Sequence, residues 1–208
     1  MKKGIFITLE GADGAGKTTQ VALLKQYFED NKIDAMFLRE PGATSIGEKI
    51  RQILIDKNNV EMADYTEAYL YAAARAQLVC EVIKPAILAG KIVVCDRFLD
   101  SSVAYQGFAR GMGEDTILNI NQFAVEGIAP DITFFIKLEP EIGFSRKDSP
   151  KNYDRLEEAG LQFHKKVYEG YIKLAEKHTD RIIVINGGLS KKKVHAKIIS
   201  ILERNGCI

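Results

Sequence analysis

The chain has 208 residues, of which 46% are hydrophobic and 27% charged, and its formal net charge is +1. That length fits one domain, 1–208, with a single core, and the composition is that of an ordinary soluble enzyme. The near-neutral balance excludes a dedicated nucleic-acid binder, so any positive field used in recognition has to be local. Cys80, Cys95 and Cys207 have no metal-ligand spacing and an odd count, which predicts reduced thiols in a reducing compartment. The apolar segment after Met1-Lys2-Lys3-Gly4 is too short for a signal peptide, and no run approaches membrane-spanning length. The expected location is the cytoplasm, with no membrane partner.

In chain order, Ile5 to Leu9 is apolar except for Thr8 and closes on glycine, which predicts a buried strand. Val21, Leu24 and Phe28 recur at helical spacing between Lys17 and Phe28. Ala35 to Leu38 predicts a second strand, ended by the Pro41-Gly42 turn. Helices are predicted over Ile46 to Ile55 and Asp64 to Leu88, the latter interrupted or kinked near Pro85, which has no amide hydrogen to donate. Ile92 to Cys95 reads as a buried strand, entered through Gly90 and left through Asp96-Arg97. Helical patterning returns from Thr116 to Val125. Two more strands, Ile132 to Leu138 and Ile182 to Ile185, each precede a helix-forming segment. There is no repeat, low-complexity tract or linker. The alternation predicts an α/β fold of three layers, a central, mostly parallel five-stranded sheet with helices on both faces.

Gly11-Ala12-Asp13-Gly14-Ala15-Gly16-Lys17-Thr18 matches G-x-x-x-x-G-K-[ST] completely, between the first strand and the first helix, where that loop has to lie. Its glycines allow successive N–H groups to turn inward around phosphate oxygens, and the helix behind it adds its positive end. Lys17 is placed to reach the β- and γ-phosphates of a nucleoside triphosphate, and Thr18 to offer its hydroxyl to Mg²⁺; Thr19 follows on the same turn. This predicts a P-loop NTPase fold. A GTPase should carry Asn-Lys-x-Asp after a later strand, but the only Asn-Lys, Asn31-Lys32, precedes the second strand. The short chain points instead to a nucleoside or nucleotide kinase.

Two further motifs resemble one family. Asp96-Arg97-Phe98-Leu99-Asp100-Ser101-Ser102-Val103-Ala104-Tyr105-Gln106-Gly107 is similar to the signature of bacterial thymidylate kinases, an Asp-Arg-aromatic followed by Ser and then Ala-Tyr-Gln. Arg39-Glu40-Pro41-Gly42, with Thr44 and Glu48 behind it, is similar to a second motif of that family, although Ala43 stands where a second glycine is usual. The resemblance implies transfer of the ATP γ-phosphoryl to dTMP, giving dTDP and ADP, with Mg²⁺ as the metal. It also implies a homodimer formed through helical faces, with the Asp64–Leu88 segment as a contributor.

Residue roles follow by the same resemblance. Arg97 would clamp the acceptor phosphate and bridge to the transferred group, a task that suits a bidentate guanidinium. Asp96 would help organise Mg²⁺, and Asp13 would face the acceptor's 3′-hydroxyl or the metal shell. Tyr71 and Arg75, four apart on one helical face, would stack on the thymine and donate to its carbonyl; the aromatic is usually phenylalanine. Ser102 and Gln106 would complete the base-side contacts, Tyr105 would crowd the sugar's 2′ position, and Arg39 would reach the acceptor phosphate. The basic run Arg146-Lys147-Asp148-Ser149-Pro150-Lys151-Asn152-Tyr153-Asp154-Arg155 resembles a lid, about 146–155. The phosphate loop holds no arginine, and the resemblance implies that the lid then supplies the second catalytic cation, expected to be Arg146 with Lys147, Lys151 and Arg155 in support. Asn186-Gly187-Gly188 is expected at the adenine. His164, His178 and His195 share no motif and are expected at the surface or in helix packing. A phosphate acceptor with a second pKa of about 6 needs no general base. The nearest alternatives are a kinase for another acceptor and a nucleotide-binding module without transfer.

Overall fold

A computed structural model describes residues 4–146 and 154–208. Five strands, β1 (Ile5–Glu10), β2 (Ala35–Arg39), β3 (Ile92–Asp96), β4 (Ile132–Lys137) and β5 (Ile182–Asn186), form one sheet in the order β2-β3-β1-β4-β5. Every neighbouring pair is parallel, so the expected "mostly parallel" sheet is wholly parallel among the described residues. Each crossover carries helix: α1 (Lys17–Asp30), α2 (Ser45–Ile55), α3 (Asp64–Leu78), α4 (Lys84–Leu88), α5 (Leu99–Ser102), α6 (Glu114–Val125), α7 (Pro140–Ser145), α8 (Gly160–Lys177) and α9 (Lys191–Arg204).

The layering follows from the two-residue period of the strands. Ile7, Leu9, Val94, Phe134 and Ile136 turn to one face and pack with Leu24 and Phe28 of α1 and Val194, Ile198 and Leu202 of α9. Phe6, Val93 and Cys95 turn to the other face, against Leu78, Val79, Ile83 and Ile87. Phe135 and Ile182 share that second side with Val167, Tyr171 and Leu174 of α8. Each fully buried side chain of this kind contributes about 1.5–3 kcal/mol. Thr8, the polar exception in β1, has its hydroxyl 2.8 Å from that of Thr133 on β4, so a buried polar pair satisfies itself within the sheet.

The expected kink near Pro85 takes a specific form. Val79–Ile83 winds as a π-helix between α3 and α4, and Pro85 lies at the start of α4. The wider turn accommodates the missing proline amide without ending the rod. A second π-helical stretch, Val103–Ala109, follows α5 and carries Tyr105 and Gln106. Side-chain caps fix two helix starts: Thr44 accepts from Gly47 N for α2, and Ser190 accepts from Lys193 N for α9.

Candidate active site

The carboxyl ends of the strands open into a cavity of about 920 Å³, large for a single small ligand and suited to two nucleotides. Its floor is the phosphate loop. Gly11, Gly14 and Gly16 all have positive φ (144°, 77° and 99°), which L-residues with a side chain rarely adopt. A Cβ on Gly14 would also run into the Gly143 carbonyl. Gly16 caps α1 without any side-chain bond, so the first amides of the helix are left to the cavity. Lys17 folds back on this loop, donating to Gly11 O at 2.9 Å and Ala12 O at 3.0 Å. Burial, followed by the charge of Arg97, lowers its pKa to about 8. Asp13, Gly14, Ala15, Gly16, Lys17, Thr18 and Thr19 line the cavity.

At the end of β3, Thr18 Oγ1 donates to Asp96 Oδ2 at 2.9 Å, bringing a hydroxyl and a carboxylate of hard oxygen type to one point. The next residue, Arg97, has φ 69°, left-handed for a non-glycine, which turns its side chain back across the loop. Its guanidinium pairs with Asp13, donates to Gly11 O at 3.0 Å and lies 3.2 Å from the Tyr171 hydroxyl. Tyr105 donates its hydroxyl to Asp13 at 2.9 Å, and burial pushes that phenol well up, so it stays a donor. Behind them sits Glu10, fully buried, accepting from Phe98 N at 2.7 Å, Ser101 Oγ at 2.6 Å and the Tyr171 hydroxyl at 2.9 Å. Burial, then repulsion from Asp100, raises Glu10 to about 7. Glu10 and Tyr171 carried no motif signal; their proximity joins β1 to α8 across 161 positions.

One wall of the cavity holds the base-side candidates Tyr71, Arg75, Ser102, Tyr105 and Gln106. Arg75 is 1% exposed and has all five N–H groups engaged: two with Glu40, one each with Ser102 Oγ, Asn121 Oδ1 and Phe98 O. Because Ser102 accepts from Arg75, its own hydroxyl proton remains to be donated. Arg39 forms a two-pronged pair with Glu48 at 2.8 Å and reaches Pro41 O at 2.8 Å. Arg51, which no motif singled out, also donates to Pro41 O at 3.1 Å and lines the cavity. The Glu40–Pro41 peptide here is cis, and Ala43, in the usual glycine position, takes a left-handed φ of 61°.

The other end of the cavity is lined by Arg146, Gly187, Leu189, Ser190, Lys191 and Val194. Arg146 donates to Gly187 O at 3.3 Å. Asn186, expected at the adenine, accepts from Gly188 N at 2.8 Å and shapes the turn, while its neighbours Gly187 and Leu189 line the cavity. Of the expected lid, Lys147, Pro150 and Lys151 lie outside the described residues. Arg155, expected as a supporting phosphate-side charge, is engaged elsewhere among the described residues. It donates to Leu54 O at 2.9 Å and lies 2.6 Å from the Glu67 carboxylate. His164 is 1% exposed, meets Leu156 O at 3.1 Å and places Nδ1 3.9 Å from Asp13 Oδ2, closer to the loop than a helix-packing role required.

A nucleotide cradle, a hydroxyl–carboxylate pair beside it and a cation-lined second half together describe a phosphoryl-transfer cleft. The family model for thymidylate kinase matches residues 9–198. The chain is 47% identical to a thymidylate kinase of Clostridium novyi, covering 98% of this chain and 100% of that protein. It is 50% identical to one of a Geobacillus species, with 95% of each covered. Its fold is similar to the crystal structure of thymidylate kinase from Ehrlichia chaffeensis, with a TM-score of 0.79 and 30% identity over 96% of this chain and 99% of that one. The phosphate loop, the sheet order and the strand-end acid and arginine thus sit in a full-length relationship, and this chain belongs to the thymidylate kinase family.

Proposed function

We propose that the chain transfers the γ-phosphoryl group of ATP to the 5′-phosphate of dTMP, giving dTDP and ADP. The observation that carries this reading is Arg97, held by its left-handed backbone between the phosphate loop and the base-side wall. ATP occupies the end built from the loop, Lys17, Arg146 and the Gly187–Lys191 turn. The acceptor occupies the end walled by Arg39, Tyr71, Ser102, Tyr105 and Gln106. Arg97 neutralises the two phosphate groups as they approach, and Lys17 leaves its two loop carbonyls for phosphate oxygens. Tyr105 and Arg97 hold Asp13 toward the acceptor sugar. Tyr71 stacks on the base. The donation expected of Arg75 passes through the Ser102 hydroxyl that it polarises.

Thr18 and Asp96 fit Mg²⁺, because a hydroxyl and one carboxylate, supplemented by phosphate oxygens, suit a small hard cation. Among the described residues no group of three His, Cys, Asp or Glu side chains forms an all-protein metal cage. When bound, the ion would offset charge on the β- and γ-phosphates. The stretch 146–155 acts as the lid that excludes water. No described helix is long and apolar enough to cross a membrane, and a cytoplasmic location accords with that and with the cysteine usage.

The α3 and α6 surface carries the exposed side chains Tyr65, Tyr69, Leu118 and Phe123. Phe123 alone is 85% exposed, and a second copy packing on this face gives the homodimer. Coupled ADP release with ATP, Mg²⁺ and a panel of nucleoside monophosphates tests the activity. Turnover selective for dTMP supports it, and turnover confined to a purine monophosphate overturns the acceptor.

A further inference from the structure

Glu67 lies in the first turn of α3, 0% exposed, behind the cavity wall rather than in it. Its carboxylate collects Gln106 Nε2 at 2.7 Å, Arg110 at 3.0 Å and Arg155 at 2.6 Å. Burial alone would raise the Glu67 carboxyl, but the bonds from Arg110 and Gln106 outweigh it and hold the group below its usual range. An ionised carboxylate only accepts hydrogen bonds. The Gln106 amide must therefore turn its NH₂ toward Glu67, which leaves the amide oxygen for the cavity that Gln106 lines. Without such a neighbour the two ends of an amide are nearly the same size and either could face the ligand.

We propose that Glu67 is a specificity-determining positioning residue: by fixing the Gln106 amide with its oxygen toward the acceptor base, it selects a pyrimidine whose ring carries an N–H. The inference rests on the dTMP reading of the cleft. Thymine and uracil present a donor at ring N3, which meets that oxygen. Cytosine presents a lone pair there, and two acceptors facing each other in a dry pocket leave both unsatisfied. Neither Glu67 nor its arginine partners line the cavity. The same carboxylate is ion-paired with Arg155, whose Nε donates to Leu54 O at 2.9 Å, so the end of the 146–155 stretch is tied to the group that sets the base reader.

The test compares kcat/KM for dUMP and dCMP, acceptors that differ at this ring edge and not in the 5-methyl group. The wild type should favour dUMP, by roughly ten- to a hundredfold for one mismatched buried polar contact. Glu67→Gln offers either a donor or an acceptor to Gln106, so the amide can turn over. The dUMP:dCMP ratio should then collapse toward one, while the KM for ATP is unchanged. Glu67→Asp, which keeps an acceptor-only partner, should restore most of the ratio. A folded Glu67→Gln protein that keeps the wild-type ratio overturns the inference.

If Glu67→Gln does not fold, side-chain ¹⁵N NMR of the wild type decides, with the Gln106 amide assigned by its loss in Gln106→Met. Amide protons that stay protected and unmoved when dTMP binds uphold the orientation. Amide protons that shift into contact with the base overturn it. A wild type that turns over purine monophosphates instead, with neither pyrimidine used, fails the acceptor reading itself and removes the basis of the inference. A wild type that uses dTMP but shows equal kcat/KM for dUMP and dCMP fails the inference alone.

Discussion

Raising the pH from 8 to 9.5 should weaken ATP binding through one residue, Lys17. Its ammonium is buried beneath the phosphate loop and next to Arg97, which together lower its pKa from 10.5 to about 8. In the free protein the charge on Lys17 is therefore half lost at about pH 8 and roughly 90% lost one unit higher. Bound triphosphate should restore it, with the β- and γ-oxygens replacing the loop carbonyls that Lys17 contacts at 2.9 and 3.0 Å. Binding should then take up about half a proton at pH 8 and close to one at pH 9. The dissociation constant should rise about tenfold per unit above pH 8, or about 1.4 kcal/mol.

The same shift has a consequence for folding. Because the unfolded chain holds this proton more tightly than the folded one, Lys17 lowers stability by about 3 kcal/mol below pH 8. That cost is relieved as the pH climbs from about 8 toward 10.5. Isothermal titration with ATP in two buffers of different ionisation enthalpy measures the proton count directly. A flat affinity between pH 8 and 9.5, with no proton uptake, would refute the electrostatic account of the loop.

Other substitutions separate structural from chemical roles. Arg97→Ala should lower kcat/KM by about 10²–10³, and Arg97→Lys should recover little because an ammonium lacks the planar fork, with steady-state kinetics as the measurement. Arg75→Met should cost about 3–5 kcal/mol in urea denaturation, since it strands the buried Glu40 carboxylate; the double variant with Glu40→Leu should cost less than the single one. Ala43→Gly should raise stability by roughly 0.5–1 kcal/mol, because glycine adopts the φ of 61° without strain, and a lower melting temperature would contradict the left-handed assignment.

The parts of the site that rest on one short segment were legible in the sequence. Gly11 to Thr18 bends into its cradle by local backbone geometry alone, and Asp96-Arg97 lies at a strand end because Ile92 to Cys95 is so plainly apolar. The five strands were legible for the same reason, with edges shifted by a residue or two. Pairings over long separations were not. Glu67 looks like any acid in a helical first turn until Arg110 and Arg155 arrive beside it. Glu10 ends a strand like any polar residue until Tyr171 closes over it. Arg155 reads as part of a basic lid, yet it pairs with the buried carboxylate of Glu67, which burial would leave costly without a cation beside it. The turn of Asn186 onto Gly188 is likewise a matter of local geometry that a position in the sequence does not reveal.

The most direct test of the account is ADP release from ATP and Mg²⁺ with dTMP, set beside dUMP, dCMP, dAMP and dGMP under the same conditions. The cleft described above predicts turnover with dTMP foremost, dUMP next and little with the rest. Equal turnover on all five, or hydrolysis of ATP that ignores the acceptor, would contradict it.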